Sequence, residues 1–273
     1  MNIWTQKSIE LANQKNYLDL LYKVYPLSAN LRREMNDVVK TDIERATSNQ
    51  DNEALLNILI SQTNAKNIVF PIKDSYVAYL KHDSSAITKN PNTVNRIAGI
   101  LYEMGYEEII DKATTPKETN RQIGPLFGAW VHSGALGATI TTDSSVFLSA
   151  TENMIFDGSD DDRMRFANQH LGYSRNKGLD FLAKFNNKYV IGEAKFLSDF
   201  GGSQNSDFED AELTLRATFN PTNKTVNKIA IIDGVLYINS CAGRKPANKL
   251  RTNFTDNEVI LSAVLLRDYL YSL

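Results

Sequence analysis

The stretch KGLDFLAKFNNKYVIGEAKF, residues 177–196, constrains the fold more than any other part of the chain. Apolar and aromatic residues fill both sides of Asn186-Asn187, and both asparagines tolerate the positive φ that a two-residue hairpin turn requires. A hairpin turning there pairs Phe185 with Lys188 and, counted outward, sets Asp180 opposite Glu193. Their Cβ atoms would lie roughly 4.5–5.5 Å apart. Lys195, two residues beyond Glu193, points to the same face. Two opposed carboxylates destabilise a bare sheet, whereas a divalent cation between them reverses the sign of the interaction. Hard oxygen donors at this spacing suit Mg²⁺, which takes one or two carboxylates and keeps several waters. The Ala194 carbonyl can add a ligand. Lys195 is then placed to orient or help deprotonate a bound water, or to stabilise charge on a phosphate oxygen. That combination is a recipe for phosphodiester hydrolysis. A solvated hairpin carrying a lysine–acid pair is the bland alternative, and the hairpin geometry alone does not separate the two.

The elements around the hairpin set the fold class. Before it, apolar residues recur mainly at helical spacing. KSIELANQKNYLDLLYKVY reads as one helix, with Ile9, Leu11, Tyr17, Leu18, Leu21 and Tyr22 on its apolar side and Pro26 ending it. ANLRREMNDVVKTDIERAT and DNEALLNILISQT read as two more. Asn90-Pro91 is a start signal for a further helix that should stop at Gly105. GATITTDSSVFLSA reads as short strands. GSDDDRMRFANQHLG reads as a helix with a Ser159 cap, its acids serving the helix end rather than a metal. After the hairpin come a helix, SQNSDFEDAELTLRATF, and an apolar strand, NKIAIIDGVLYI, turning at Asp233-Gly234. TDNEVILSAVLLRDYLYSL reads as a closing amphipathic helix. Hairpin, helix, strand, helix in that order implies a mixed sheet with a crossover helix. The expected architecture is α/β: a helical part over residues 1–115, and a mixed sheet flanked by helices over residues 116–273.

Charge and cysteine content exclude some function classes. The formal net charge of −2 gives no global basic excess, although a local patch can exist in a neutral protein. The single cysteine, Cys241, rules out a disulfide within the chain and fits a reducing, cytoplasmic setting. The first residues have no apolar core of signal-peptide length. Residues 122–142 contain no Asp, Glu, Lys or Arg, but their proline, glycines and polar residues argue against a membrane span. They should be buried or lie between subunits.

The run GLD, twelve residues, then EAK resembles the active-site motif of the PD-(D/E)xK nucleases. The wider stretch from Lys177 through SQNSDFEDA is similar to type II restriction endonucleases of that superfamily, as is PKETNRQIGPLF upstream. Leu179 stands where the motif's name has proline. The resemblance implies a restriction-endonuclease-like core, with Asp180 and Glu193 as metal ligands and Lys195 as the catalytic lysine. It implies a Mg²⁺-dependent, site-specific double-stranded DNA endonuclease. Such an enzyme would be a homodimer on a palindromic target, paired in function with a DNA methyltransferase. A repair or junction-resolving nuclease on the same core is the alternative among enzymes. A DNA-binding module without cleavage is the alternative outside them, and the complete Asp180, Glu193 and Lys195 set argues against it.

Candidate DNA contacts follow from residue type. Gln204 and Asn205, after Gly201-Gly202, can pair with adenine edges. Lys81 sits among Tyr76, Tyr79, His82 and Lys89, a basic and aromatic mixture suited to phosphate and sugar. Lys117, Asn120 and Arg121 offer similar chemistry. Arg244, Lys245, Lys249 and Arg251 form a local basic cluster, read as a phosphate-contacting loop.

Overall fold

A computed structural model describes residues 1–26, 32–116 and 120–273, with the side chains of Asn120 and Arg121 left aside. The chain divides into two compact units. One joins Met1–Leu27 to Thr119–Leu273, and the other is Ser28–Glu118. The first twenty-seven residues, grouped by sequence with the helical part, belong instead to the sheet unit.

Helices α1 (Ile3–Ala12) and α2 (Tyr17–Val24) replace the single helix expected there. The break falls at Asn16, in the left-handed region at φ 68°. It turns Tyr17, Leu21, Val24 and Tyr25 inward and leaves Leu18 and Tyr22 exposed, against the continuous apolar stripe expected. The helical unit holds α3 (Asp37–Ser48), α4 (Asn52–Asn64), α5 (Ser75–His82), α6 (Ala86–Lys89) and α7 (Pro91–Ala113). Its own core gathers Ile43, Leu55, Leu56, Leu59, Ile97 and Leu101. Gly105 takes the left-handed φ of 75° foreseen for a helix end, yet a second helical stretch resumes after it.

The sheet unit continues with α8 (Asn120–His132), β1 (Thr139–Thr141), α9 (Ser144–Ser149), β2 (Met154–Phe156) and α10 (Asp160–His170). The catalytic hairpin candidate is β3 (Phe181–Phe185) and β4 (Lys188–Leu197), followed by α11 (Ser203–Leu215) and β5 (Val226–Gly234). The chain ends with α12 (Lys245–Thr252), β6 (Val259–Leu261) and α13 (Leu266–Tyr271). Among the described residues, six strands lie in chain order across one mixed sheet. β2–β3 and β3–β4 run antiparallel, and the other neighbours run parallel. The expected α/β class and mixed sheet are observed, with helices on both faces.

Alternation along β4 assigns those faces. Val190 packs with α2, α8 and α13 through Tyr17, Leu21, Phe127, Val131, Leu266 and Leu270. Ile191 packs on the other face with Phe147, Phe166 and Leu182. Further along that second face, Phe208, Ala211 and Leu215 of α11 cover Ala230 and Ile232 of β5.

Three local expectations are corrected. Residues 144–149, expected as strand, form α9, because Asp143 accepts hydrogen bonds from the Ser145 and Val146 N–H groups and caps a helix. The closing segment is not one helix: Val259–Leu261 pairs with β5 as β6 before α13 begins. The basic stretch expected as a loop is α12, started by a proline in its first turn.

The end of β5 carries a fully buried carboxylate, Asp233. It accepts hydrogen bonds from Tyr25 Oη at 2.7 Å, the Ala263 N–H at 3.2 Å, Tyr17 Oη at 3.4 Å and the Ser262 hydroxyl. Burial raises its pKa, and these donors oppose the rise. The group joins α2, β5 and the segment after β6 at one point.

Candidate active site

The hairpin turns at Asn186-Asn187 with φ of 47° and 62°, as the paired asparagines require. Phe185 faces Lys188, and Phe181 faces Gly192 at the other end of the ladder. Asp180 lies one residue before β3, and its Oδ2 accepts the Ala194 N–H at 2.8 Å. That bond locks the aspartate against the edge of β4. In a strand, one residue's N–H and C=O point to the same side, so the Ala194 carbonyl also faces Asp180. Gly178 lets the approach to Asp180 pass close to α10. A Cβ there would sit 2.7 Å from the Asp160 Cβ, and the Leu179 N–H donates to the Asp160 carbonyl at 3.1 Å.

Glu193 is 1% exposed. Burial first, and then the Asp180 charge, push its carboxyl up to about 8, with Lys195 opposing. Thr214 Oγ1 of α11 donates to Glu193 Oε1 at 3.4 Å, and Arg175 Nη1 donates to Thr214 Oγ1 at 2.7 Å. Lys195 Nζ lies 3.2 Å from Glu193 Oε2 and 3.8 Å from Asp180 Oδ2. It also lies 3.5 Å from Asp210 Oδ2 on α11. Burial alone would lower the Lys195 ammonium, but Asp180 and Glu193 outweigh it and hold the group above the ordinary lysine value. Asp160, at the start of α10, is raised by burial and by the nearby Asp180 charge. Its helix is capped as expected: Ser159 and Asp162 form a reciprocal capping box.

The structure therefore brings Asp180, Glu193 and Lys195 together. Among the described residues, no group of three or more histidine, cysteine, aspartate or glutamate side chains forms a ready-made metal cage. The oxygen donors of Asp180 and Glu193 still fit Mg²⁺, which needs one or two carboxylates and fills its remaining positions with water.

Sequence reasoning missed Asp210, Lys177, Arg175 and Thr214. Asp210 and Thr214 flank the stripe Phe208, Ala211 and Leu215 that docks α11 onto the sheet. A crossover helix packs back on the strand it leaves, so polar residues bordering its apolar stripe could have been assigned to the site from helical spacing.

The expected DNA contacts are more dispersed. Gln204 is buried and accepts the Ser198 N–H at 2.9 Å, which ties down the loop after β4. Asn205 Oδ1 is buried with no hydrogen-bond partner among the described residues. Lys81 lies in the last turn of α5, a helix that exposes Tyr76 and Tyr79. Lys117 and the side chains of Asn120 and Arg121 lie outside the described residues. Arg244 is exposed just before α12, and Lys245 Nζ lies 3.3 Å from Glu209. Lys249 pairs with Glu212, and Arg251 donates to the carbonyls of Leu236, Tyr237 and Ala247. The last two cations thus have internal partners. No helix among the described residues is long and apolar enough to cross a membrane.

A family model described as Tsp45I type II restriction enzyme matches residues 2–273. No curated protein and no solved structure matches the chain.

Proposed function

The chain belongs to the Tsp45I type II restriction enzyme family, and from that premise we propose that it is a Mg²⁺-dependent, site-specific double-stranded DNA endonuclease whose centre is Asp180, Glu193 and Lys195. The observation that carries the reading is the meeting of one ammonium with both hairpin carboxylates at 3.2 and 3.8 Å. Asp180, Glu193 and the Ala194 carbonyl would hold the cation, which when bound supplies a Lewis acid and lowers the pKa of water. Asp180 is fixed for that task by the Ala194 N–H, and Glu193 by its strand and by Thr214. Lys195 places a positive charge where the attacked phosphate accumulates negative charge. Lys81, Lys117, Asn120, Arg121, Arg244 and Lys245 remain the proposed DNA contacts, with Asn205 beside them, whereas Gln204 and Lys249, read from sequence as contacts, are engaged inside the protein by the Ser198 N–H and by Glu212. The protein acts as a homodimer where its target is palindromic, and a methyltransferase of matching specificity protects the host's own sites.

Incubation with plasmid and Mg²⁺ should yield discrete fragments, and Mn²⁺ should substitute. Excess EDTA or Asp180→Ala should stop cutting. Full digestion in EDTA would sink the metal reading, and structure-selective nicking would indicate a repair enzyme instead.

The carboxylate pair also makes a stability prediction. Folded Glu193 holds its proton up to about 8, whereas the unfolded carboxyl releases it at its ordinary value of 4.5. The folded state binds more protons in that window, so the stabilising contribution is present at low pH and is lost as pH rises through it. A divalent cation takes the proton's place. Melting temperatures in EDTA should therefore fall from pH 5 to pH 8, and the gain on adding Mg²⁺ should be larger at pH 8. A Mg²⁺ response that ignores pH would remove Glu193 from the cation site.

A further inference from the structure

Asp210 lies outside the hairpin and is not needed to explain the cation site, yet it is a junction between two lysines. Its Oδ2 lies 3.0 Å from Lys177 Nζ and 3.5 Å from Lys195 Nζ. Its other oxygen lies 4.0 Å from Arg175 Nη2. Lys177 and Arg175 belong to the segment that delivers Asp180, Asp210 belongs to α11, and Lys195 belongs to β4. One carboxylate thus links three separate stretches of chain beside the reacting centre.

Lysine is a compact charge on a flexible four-carbon stem, so its position depends on its partners. Lys195 has three carboxylate partners, two of which are the proposed cation ligands. A divalent cation held by Asp180 and Glu193 would engage those oxygens and would repel the ammonium. Asp210 is then the remaining carboxylate among those touching Lys195. We propose that Asp210 is a positioning residue that retains Lys195 at the site when Asp180 and Glu193 bind the divalent cation, and that Lys177 anchors Asp210 for that role. This rests on the assignment of Asp180, Glu193 and Lys195 made above.

A surface ion pair on α11 with only a structural role would affect melting and nothing else. The proposal demands more. Asp210→Asn should lower the single-turnover cleavage rate roughly 10²-fold, the scale of a misplaced reacting group. Binding in Ca²⁺ to the same plasmid fragment that the parent enzyme cuts should be unchanged. Asp210→Glu should recover part of the rate. Lys177→Ala should show a smaller loss, and the double variant should match Asp210→Asn alone, because Lys177 acts through Asp210. Calorimetric titration of the free protein with Mn²⁺ should give the parent affinity for Asp210→Asn.

Parent-like cleavage by Asp210→Asn overturns the proposal, and so does weakened Mn²⁺ binding, which would make Asp210 a metal ligand. If Asp210→Asn folds poorly, Lys177→Ala carries the test, and a parent-like rate for it overturns the proposal. Lys195→Ala is the reference. An inactive Lys195→Ala beside a normal Asp210→Asn refutes this inference alone, whereas a normal Lys195→Ala refutes the underlying site as well.

Discussion

Lys195→Ala should lower the rate of DNA cleavage roughly 10²–10³-fold, the usual loss on removing one electrostatic donor from a reaction centre. The ammonium sits 3.2 Å from Glu193 and is only 19% exposed, so bulk water is a poor substitute for it. Negative charge on the phosphate increases during attack, and the interaction is worth most at that moment. Specific binding in Ca²⁺ should survive, because the ground-state complex uses many other contacts. A single-turnover assay beside a gel shift in Ca²⁺ separates the two effects. Equal losses in both would make Lys195 a binding residue, and a normal cleavage rate would place the chemistry elsewhere.

Asp233→Ala should cost about 2–5 kcal/mol of folding stability, because it strands several buried neutral donors at once, each worth about 1–3 kcal/mol when unpaired and less where a hydroxyl can rotate to another partner. The change deletes an acceptor for Tyr25, Tyr17, Ser262 and the Ala263 N–H. Asp233→Asn keeps one amide oxygen as acceptor and should cost less. Urea unfolding with an unchanged slope would measure both. An alanine variant as stable as its parent would show that the burial cost of the carboxylate cancels everything its partners contribute.

The hairpin could be read closely because its information is local. Two asparagines set the turn, the turn sets the register, and the register sets the alignment of Asp180 with Glu193 and Lys195. The mixed sheet followed from element order, since a helix between strands implies a parallel crossover. Features decided by distant contacts were not legible. VIL at 259–261 is short enough to join a helix or a strand, and pairing with β5 decides it. The split between α1 and α2 depends on one left-handed asparagine, which periodicity over a longer window averages away. Asp233 looked like an ordinary Asp-Gly turn residue. Its role emerges only when Tyr17 and Tyr25, more than 200 residues earlier, reach it. Asp210 was half legible: helical spacing places it beside the stripe of Phe208, Ala211 and Leu215, but its lysine partners emerge only with the strand beneath it.

The early helices of the sheet unit have a consequence for the order of events during synthesis. Thr5 Oγ1 donates to the Ile260 carbonyl, and Ser8 Oγ accepts the Ser262 N–H. Their partners are made about 255 residues later. At roughly 5–20 residues per second, a ribosome takes about 13–50 seconds to cover that distance. The intervening unit 28–118, with a core of its own, can fold meanwhile. Trp4, Tyr17 and Leu21 must wait for the surfaces that bury them. Slow translation therefore prolongs the exposure of an arm carrying Trp4, Tyr17 and Leu21, and a chaperone that holds nascent apolar segments should raise the yield of folded protein. Asp233 and Ser262 arrive late and close the arrangement, so the nascent nuclease acquires its complete sheet unit only when synthesis of this stretch is nearly over.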